Sequence, residues 1–145
     1  MSSHATQNLA NHVRRDPLFH FFMVPVFLVT YIVSVSMLSK ERNLHALWFM
    51  IFMLAAVVAM FKIRLYSLKV QDRVIRLEER LRLATLLAEP DRAQIPRLTE
   101  QQLVALRFAS DEELPALAKR AWTENMAPKE IKKSIRNWRP DYWRV

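Results

Sequence analysis

"MFKIRLYSLKVQDRVIRLEERL", Met60–Leu81, decides how this chain is read. It passes from an uncharged stretch into a dense run of charges with no glycine, proline or loop signal between them. Residues 43–61 contain no Asp, Glu, Lys or Arg, and neither do residues 17–39. Crossing a hydrocarbon core of about 30 Å takes roughly 20 apolar residues as helix. A backbone in lipid must satisfy its own hydrogen bonds, which leaves helix as the candidate at this length. Two buried core helices would give the same pattern, but the rest of the chain is too small and too charged to surround them. The pattern therefore predicts an all-α protein built on a two-helix transmembrane hairpin, with spans at 17–39 and 43–61 and a short external turn at 40–42.

Orientation follows from the basic residues. Arg14 and Arg15 precede the first span, and Lys62, Arg64 and Lys69 follow the second, whereas the turn carries only Lys40 and Arg42 beside Glu41. Lys and Arg accumulate on the cytoplasmic side, so residues 1–16 and everything after residue 61 are expected in the cytoplasm.

The helix has no reason to stop where the lipid ends. Helix-favouring residues continue to Glu89, and the first proline after the second span is Pro90. As one helix, Leu44–Glu89 would rise about 69 Å, of which about 40 Å would lie beyond a 30 Å core. Residues 62–89 are thus expected to form a cytoplasmic stalk, helped by acid-first pairs of Asp72 with Arg76 and Glu78 with Arg82.

The stalk has an apolar seam through Ile63, Tyr66, Val70, Val74, Leu77, Leu81, Ala84 and Ala88. From Val70 the spacing alternates four and three, as in a coiled coil. Val70, Val74, Leu77 and Leu81 are the candidate surface for a partner helix, either a protein partner or a second copy forming a homodimer. Beside the seam runs a basic stripe of Lys62, Lys69, Arg73, Arg76 and Arg80. Attraction to anionic lipid fades within a Debye length of about 8 Å. Lys62, Arg64 and Lys69 are close enough to the bilayer to form an anionic-lipid interface. Arg73, Arg76 and Arg80 lie beyond it, as a solvated face or one for an acidic partner.

"LAEPDRAQIPRLTE", with two prolines, marks a linker at 90–98. A small three-helix cytoplasmic domain at 99–145 follows by its capping signals. Thr99 with Gln102 and Ser110 with Glu113 have capping-box spacing, although Pro115 sits late for a first turn. Pro128 suits the start of a third helix, ended by Pro140. Leu103, Leu106, Leu114, Leu117, Ala121, Trp122, Ile131 and Ile135 are its candidate core. So small a domain needs cover from elsewhere, and the most economical cover is the stalk's own seam, in competition with a dimer. The last stretch, "KKSIRNWRPDYWRV", mixes basic and aromatic residues and is read first as aromatic packing with cation–π contacts. Nucleic acid is the least favoured partner, because residues 83–128 are net acidic.

"NHVRRDPLFHFF" at the start of the first span, "KVQDRVIRLEERLRLATLL" in the stalk, and "LTEQQLVALRFASDEELPAL" with "PKEIKKSIRNWRPDYWRV" at the end resemble a family of small bacterial integral-membrane proteins catalogued as a domain of unknown function. The resemblance covers nearly the whole chain. It implies a bacterial protein of the plasma (inner) membrane and supplies no activity.

Chemistry finds few parts. The chain has no cysteine and no glycine, which removes thiol chemistry and glycine-rich phosphate loops. The spans lack the ionisable residues that mark ion and proton paths. His12, Asp16 and His20, each four residues from the next, are a candidate polar cluster, interrupted by Pro17. The blander reading makes Asp16 a helix N-cap with His20 at the interface. No cofactor is expected. The sequence points to a non-enzymatic membrane-anchored interaction or scaffold protein, with an accessory subunit of a membrane enzyme or transporter as the alternative and a membrane-tethered nucleic-acid binder as the least favoured.

Overall fold

The computed structural model describes residues 8–9 and 16–141. The fold is all-α: among the described residues the sole β element is an isolated antiparallel bridge between Ala109 and Trp138. Two compact units divide the chain, one formed by residues 15–69 and the other chiefly by residues 70–144.

In the first unit a π-helical turn, Leu18–Met23, leads into α1, Val24–Glu41, and α2 begins at Leu44. Asp16 caps this start, its Oδ1 accepting the N–H of Leu18 at 3.1 Å and of Phe19 at 3.3 Å. Pro25 lies in the first turn of α1. Having no N–H, it cannot continue the regular ladder. The turn before it widens, and the Val24 N–H reaches back to the carbonyl of Phe19.

The connection to α2 is tighter than the sequence suggests, because α1 runs through Glu41. Arg42 closes α1 in a left-handed conformation, φ 48°, with its N–H on the carbonyl of Leu38. Asn43 caps α2, its Oδ1 accepting the Ala46 N–H at 2.8 Å. The helices run antiparallel: the ring of Phe19 meets that of Phe61 edge-on at 6.1 Å. Ser34, Ala46 and Met60 are buried, while Phe21, Phe22, Ile32, Trp48 and Phe52 face outward.

Both long helices, Leu18–Glu41 and Leu44–Leu86, are long and apolar enough to cross a membrane. Only 6% and 11% of their most apolar windows is buried within the chain, whereas the core helix of a water-soluble fold would be mostly covered.

In the second unit the end of α2 is followed by a 3-10 helix, Asp91–Arg97, and by α3, Glu100–Leu106, α4, Leu114–Thr123, and α5, Pro128–Ser134. One apolar cluster holds the unit together, and all eight candidate core residues belong to it. Phe108, Leu98, Ile95 and Met126 join them from the connections, and Leu83 and Leu87 from α2 and its end. The stretch expected as a bare linker at 90–98 is thus helical for the most part and buries Ile95 and Leu98. Helix α2 stops at Leu86, and the guanidinium of Arg92 takes the freed carbonyl of Leu87 at 2.9 and 3.1 Å.

The Thr99–Gln102 capping box forms, and the Gln102 amide also donates to the carbonyls of Ala121 and Met126, tying three segments together. The Ser110–Glu113 box does not form. Helix α4 starts later, at Leu114, which places Pro115 in its first turn. The Glu113 carboxylate instead accepts the backbone N–H groups of Arg136 and Asn137 at 3.1 and 3.2 Å. Helix α5 also ends before Pro140, because the chain beyond it pairs with another segment: the Arg139 N–H bonds the Phe108 carbonyl at 2.7 Å, and the Ser110 N–H bonds that of Asn137.

Candidate functional site

The described candidate residues fall into two sets, one in each unit. In the first unit, Asp16 and His20 are adjacent through a hydrogen bond of 2.8 Å from His20 Nδ1 to the Asp16 carbonyl. His12 lies outside the described residues. The side chain that does approach Asp16 is Arg64, at 3.8 Å, with its guanidinium also 5.4 Å from the centre of the Phe19 ring. Arg64 is thereby drawn onto the start of the hairpin, its side chain 13% exposed. Lys62 and Lys69 are exposed, Lys62 lying over the ring of Tyr66 and donating to its hydroxyl at 3.4 Å. Among the described residues no group of three or more His, Asp or Glu is placed to hold a metal.

In the second unit, the helix from Val70 to Leu86 has two faces of opposite fate. One face is covered by the small domain. Ile75, Glu79, Leu83 and, past the helix end, Leu87 are buried there, Leu83 completely. These residues recur at four-residue steps, which keeps them on one side of the helix.

A cluster of charges locks this face. Arg82 donates to Asp111 Oδ1 at 2.6 Å, to the Ala109 carbonyl at 2.7 Å and to Glu79 Oε2 at 3.2 Å. Arg139 approaches the other oxygen of Glu79 at 3.9 Å. Burial pushes the Glu79 carboxyl above its ordinary range, outweighing the opposing pull of Arg82 and Arg139. Arg76 pairs with Glu100 of α3.

Neither acid-first pair read from the sequence forms. Arg76 reaches only the backbone carbonyl of Asp72, and Arg82 turns away from Glu78 altogether. Both arginines instead find acceptors on the folded domain, Glu100 for Arg76 and Asp111 with the Ala109 carbonyl for Arg82.

The other face carries the seam, and among the described residues none covers its Val70, Val74, Leu77 and Leu81 positions. Val70, Val74, Leu77 and Leu81 are exposed by 64, 48, 60 and 62%. The domain takes its cover from the far side of the helix, so the seam and the domain no longer compete. In heptad terms Val74 and Leu81 occupy a, Val70 and Leu77 occupy d, and Ala84 follows at the next d, half-buried against the core. Arg73 and Arg80 then fall at g on one flank and Glu78 at e on the other, all three exposed.

The surface is thus an apolar strip with a basic and an acidic edge. An apolar strip flanked in this way has the layout by which one helix packs on another. The burial of Ile75, Glu79 and Leu83 was missed from the sequence. Arg82 and Asp111 are 29 residues apart, and no local spacing announces a contact of that range.

The family described as "Family of unknown function (DUF6526)" matches residues 1–145. The chain belongs to that family. No curated protein and no solved structure matches it.

Proposed function

We propose that this member of the DUF6526 family is a multi-pass protein of the bacterial inner membrane, with both termini in the cytoplasm, that works as an anchored interaction or scaffold protein without catalysis of its own. Its two apolar helices leave their outward faces uncovered, and lipid is the medium that covers such faces at least cost. The basic residues beyond the second span, set against the few in the turn, favour a cytoplasmic placement for the second unit.

One observation carries the reading. A helix already stabilised along one face by its own domain keeps Val70, Val74, Leu77 and Leu81 exposed on the other. In water a strip of this kind loses about 25 cal/mol for each square ångström of apolar surface left uncovered, and contiguous exposed apolar surface marks interaction sites.

The test is the reactivity of a thiol placed on the seam. The chain has no cysteine, so Leu77→Cys gives a single reporter. In native membranes it should react with a water-soluble maleimide far more slowly than Asp72→Cys, which is exposed on the covered side of the helix. Detergent dispersal at high dilution should abolish that protection. Equal reactivity in intact membranes would end the proposal.

A further inference from the structure

We infer that the seam is covered by the same seam of a second copy, the two helices running parallel with Arg73 of each protomer paired to Glu78 of the partner subunit. This deepens the reading of the seam as a contact surface and names its occupant.

Charge placement selects the occupant. In a parallel pair of helices a g position faces the e position of the next heptad on the other helix, and such pairs set partner and orientation. Arg73 at g and Glu78 at e stand in that relation, and two-fold symmetry makes the pair twice. Neither forms an ion pair or side-chain hydrogen bond with the described residues of its own chain. Glu78 is left available because Arg82, its expected partner, is held by Asp111 and the Ala109 carbonyl.

At the centre of the seam, Val74 at a with Leu77 at d is the β-branched and leucine combination that favours two strands. Val70 at d and Leu81 at a are the reverse, so charge placement and not the apolar set selects the pair. An antiparallel pair would lose the match of Arg73 with Glu78. Two copies held in one bilayer by the same apolar segments share an orientation, which is the alignment the pair requires.

The seam is short for a coiled coil that must order itself on binding. Here the ordering is complete beforehand, because the domain fixes the helix along Ile75, Glu79 and Leu83. Such preorganisation removes much of the cost of association. Confinement of both copies to a membrane adds a further gain in effective concentration.

Oxidation of native membranes carrying the full chain tests this. A parallel dimer brings equivalent d positions within the Cα separation of about 4.4–6.8 Å that a disulfide spans. Leu77→Cys and Val70→Cys should give a disulfide-linked dimer at least tenfold faster than Asp72→Cys. Adding Arg73→Glu to Leu77→Cys should lower the dimer yield on the order of tenfold, and adding Glu78→Arg as well should restore it.

A Leu77→Cys dimer forming no faster than that of Asp72→Cys overturns the inference. If the Leu77→Cys thiol is nevertheless shielded from maleimide, another macromolecule covers the seam, and the interaction role stands without the second copy. If the thiol is freely labelled, both readings fall. A dimer indifferent to the charge reversal overturns the parallel pairing.

Discussion

The two faces of α2 beyond Val70 are made from similar residues and have opposite fates. The covered face offers Ile75, Leu83 and an ionic cluster, whereas the bare face offers Val70, Val74, Leu77 and Leu81. By apolar content alone the second is the better core surface, yet the chain's own domain chose the first. What distinguishes them is Arg82, which reaches Asp111 and the Ala109 carbonyl only when the domain docks on its side of the helix. On the covered face directional bonds and the burial of Ile75 and Leu83 act together. The more hydrophobic face stays exposed.

The largest effect tests whether that ionic cluster secures the covered face. Arg82→Ala leaves Glu79 buried with only Arg139 nearby, and should cost about 4 kcal/mol, as loss of one partner of a buried pair does. Urea titration of the full chain in detergent, followed by tryptophan fluorescence, reads this. A cost near zero would mean that apolar packing alone chose the face.

Next comes a direct comparison of leucines. Leu83→Ala should cost about 3 kcal/mol, from lost burial and the cavity left behind. Leu77→Ala should change stability by less than about 0.5 kcal/mol at dilutions where the chain is monomeric. Similar losses at the two positions would break the comparison, because the seam would then be internal.

The smallest effect concerns pH. Burial raises the Glu79 pKa in the folded state above its unfolded value. The folded protein therefore holds this proton more tightly. The resulting stability is complete below the unfolded value, about 4.5, and is lost as pH rises through the folded one. Glu79→Gln keeps an acceptor for Arg82 and cannot ionise, so it should be slightly more stable than the natural chain at neutral pH. The difference should vanish at pH 4. Thermal unfolding across that range measures it; a Glu79→Gln variant less stable at pH 7 would show that the charge itself stabilises this face.

Much of this architecture is legible in the sequence. The two uncharged stretches, the unbroken helix through Met60–Leu81, the Thr99 capping box and the eight core positions of the small domain all rest on local rules of period, charge and capping. Where local rules met a tertiary competitor, they failed. Spacing pairs Glu113 with Ser110, but Glu113 binds the backbone of Arg136 and Asn137. Spacing pairs Arg82 with Glu78, but Arg82 bonds Asp111. Pro140 predicts the end of α5, which stops earlier because the chain after it pairs with Phe108.

For the candidate surface the division is sharper. The seam residues follow from heptad spacing alone, since side chains three and four apart share a helix face whatever the rest of the chain does. Their exposure does not follow, because it depends on which side of α2 the domain occupies. The sequence by itself determined that the chain is all helix, where its apolar windows lie, and which residues line the seam. Only the tertiary structure decided that the domain docks on the opposite face, since that choice rests on Arg82 meeting groups 27 and 29 residues away, and bonds of that range exist only once the chain has folded.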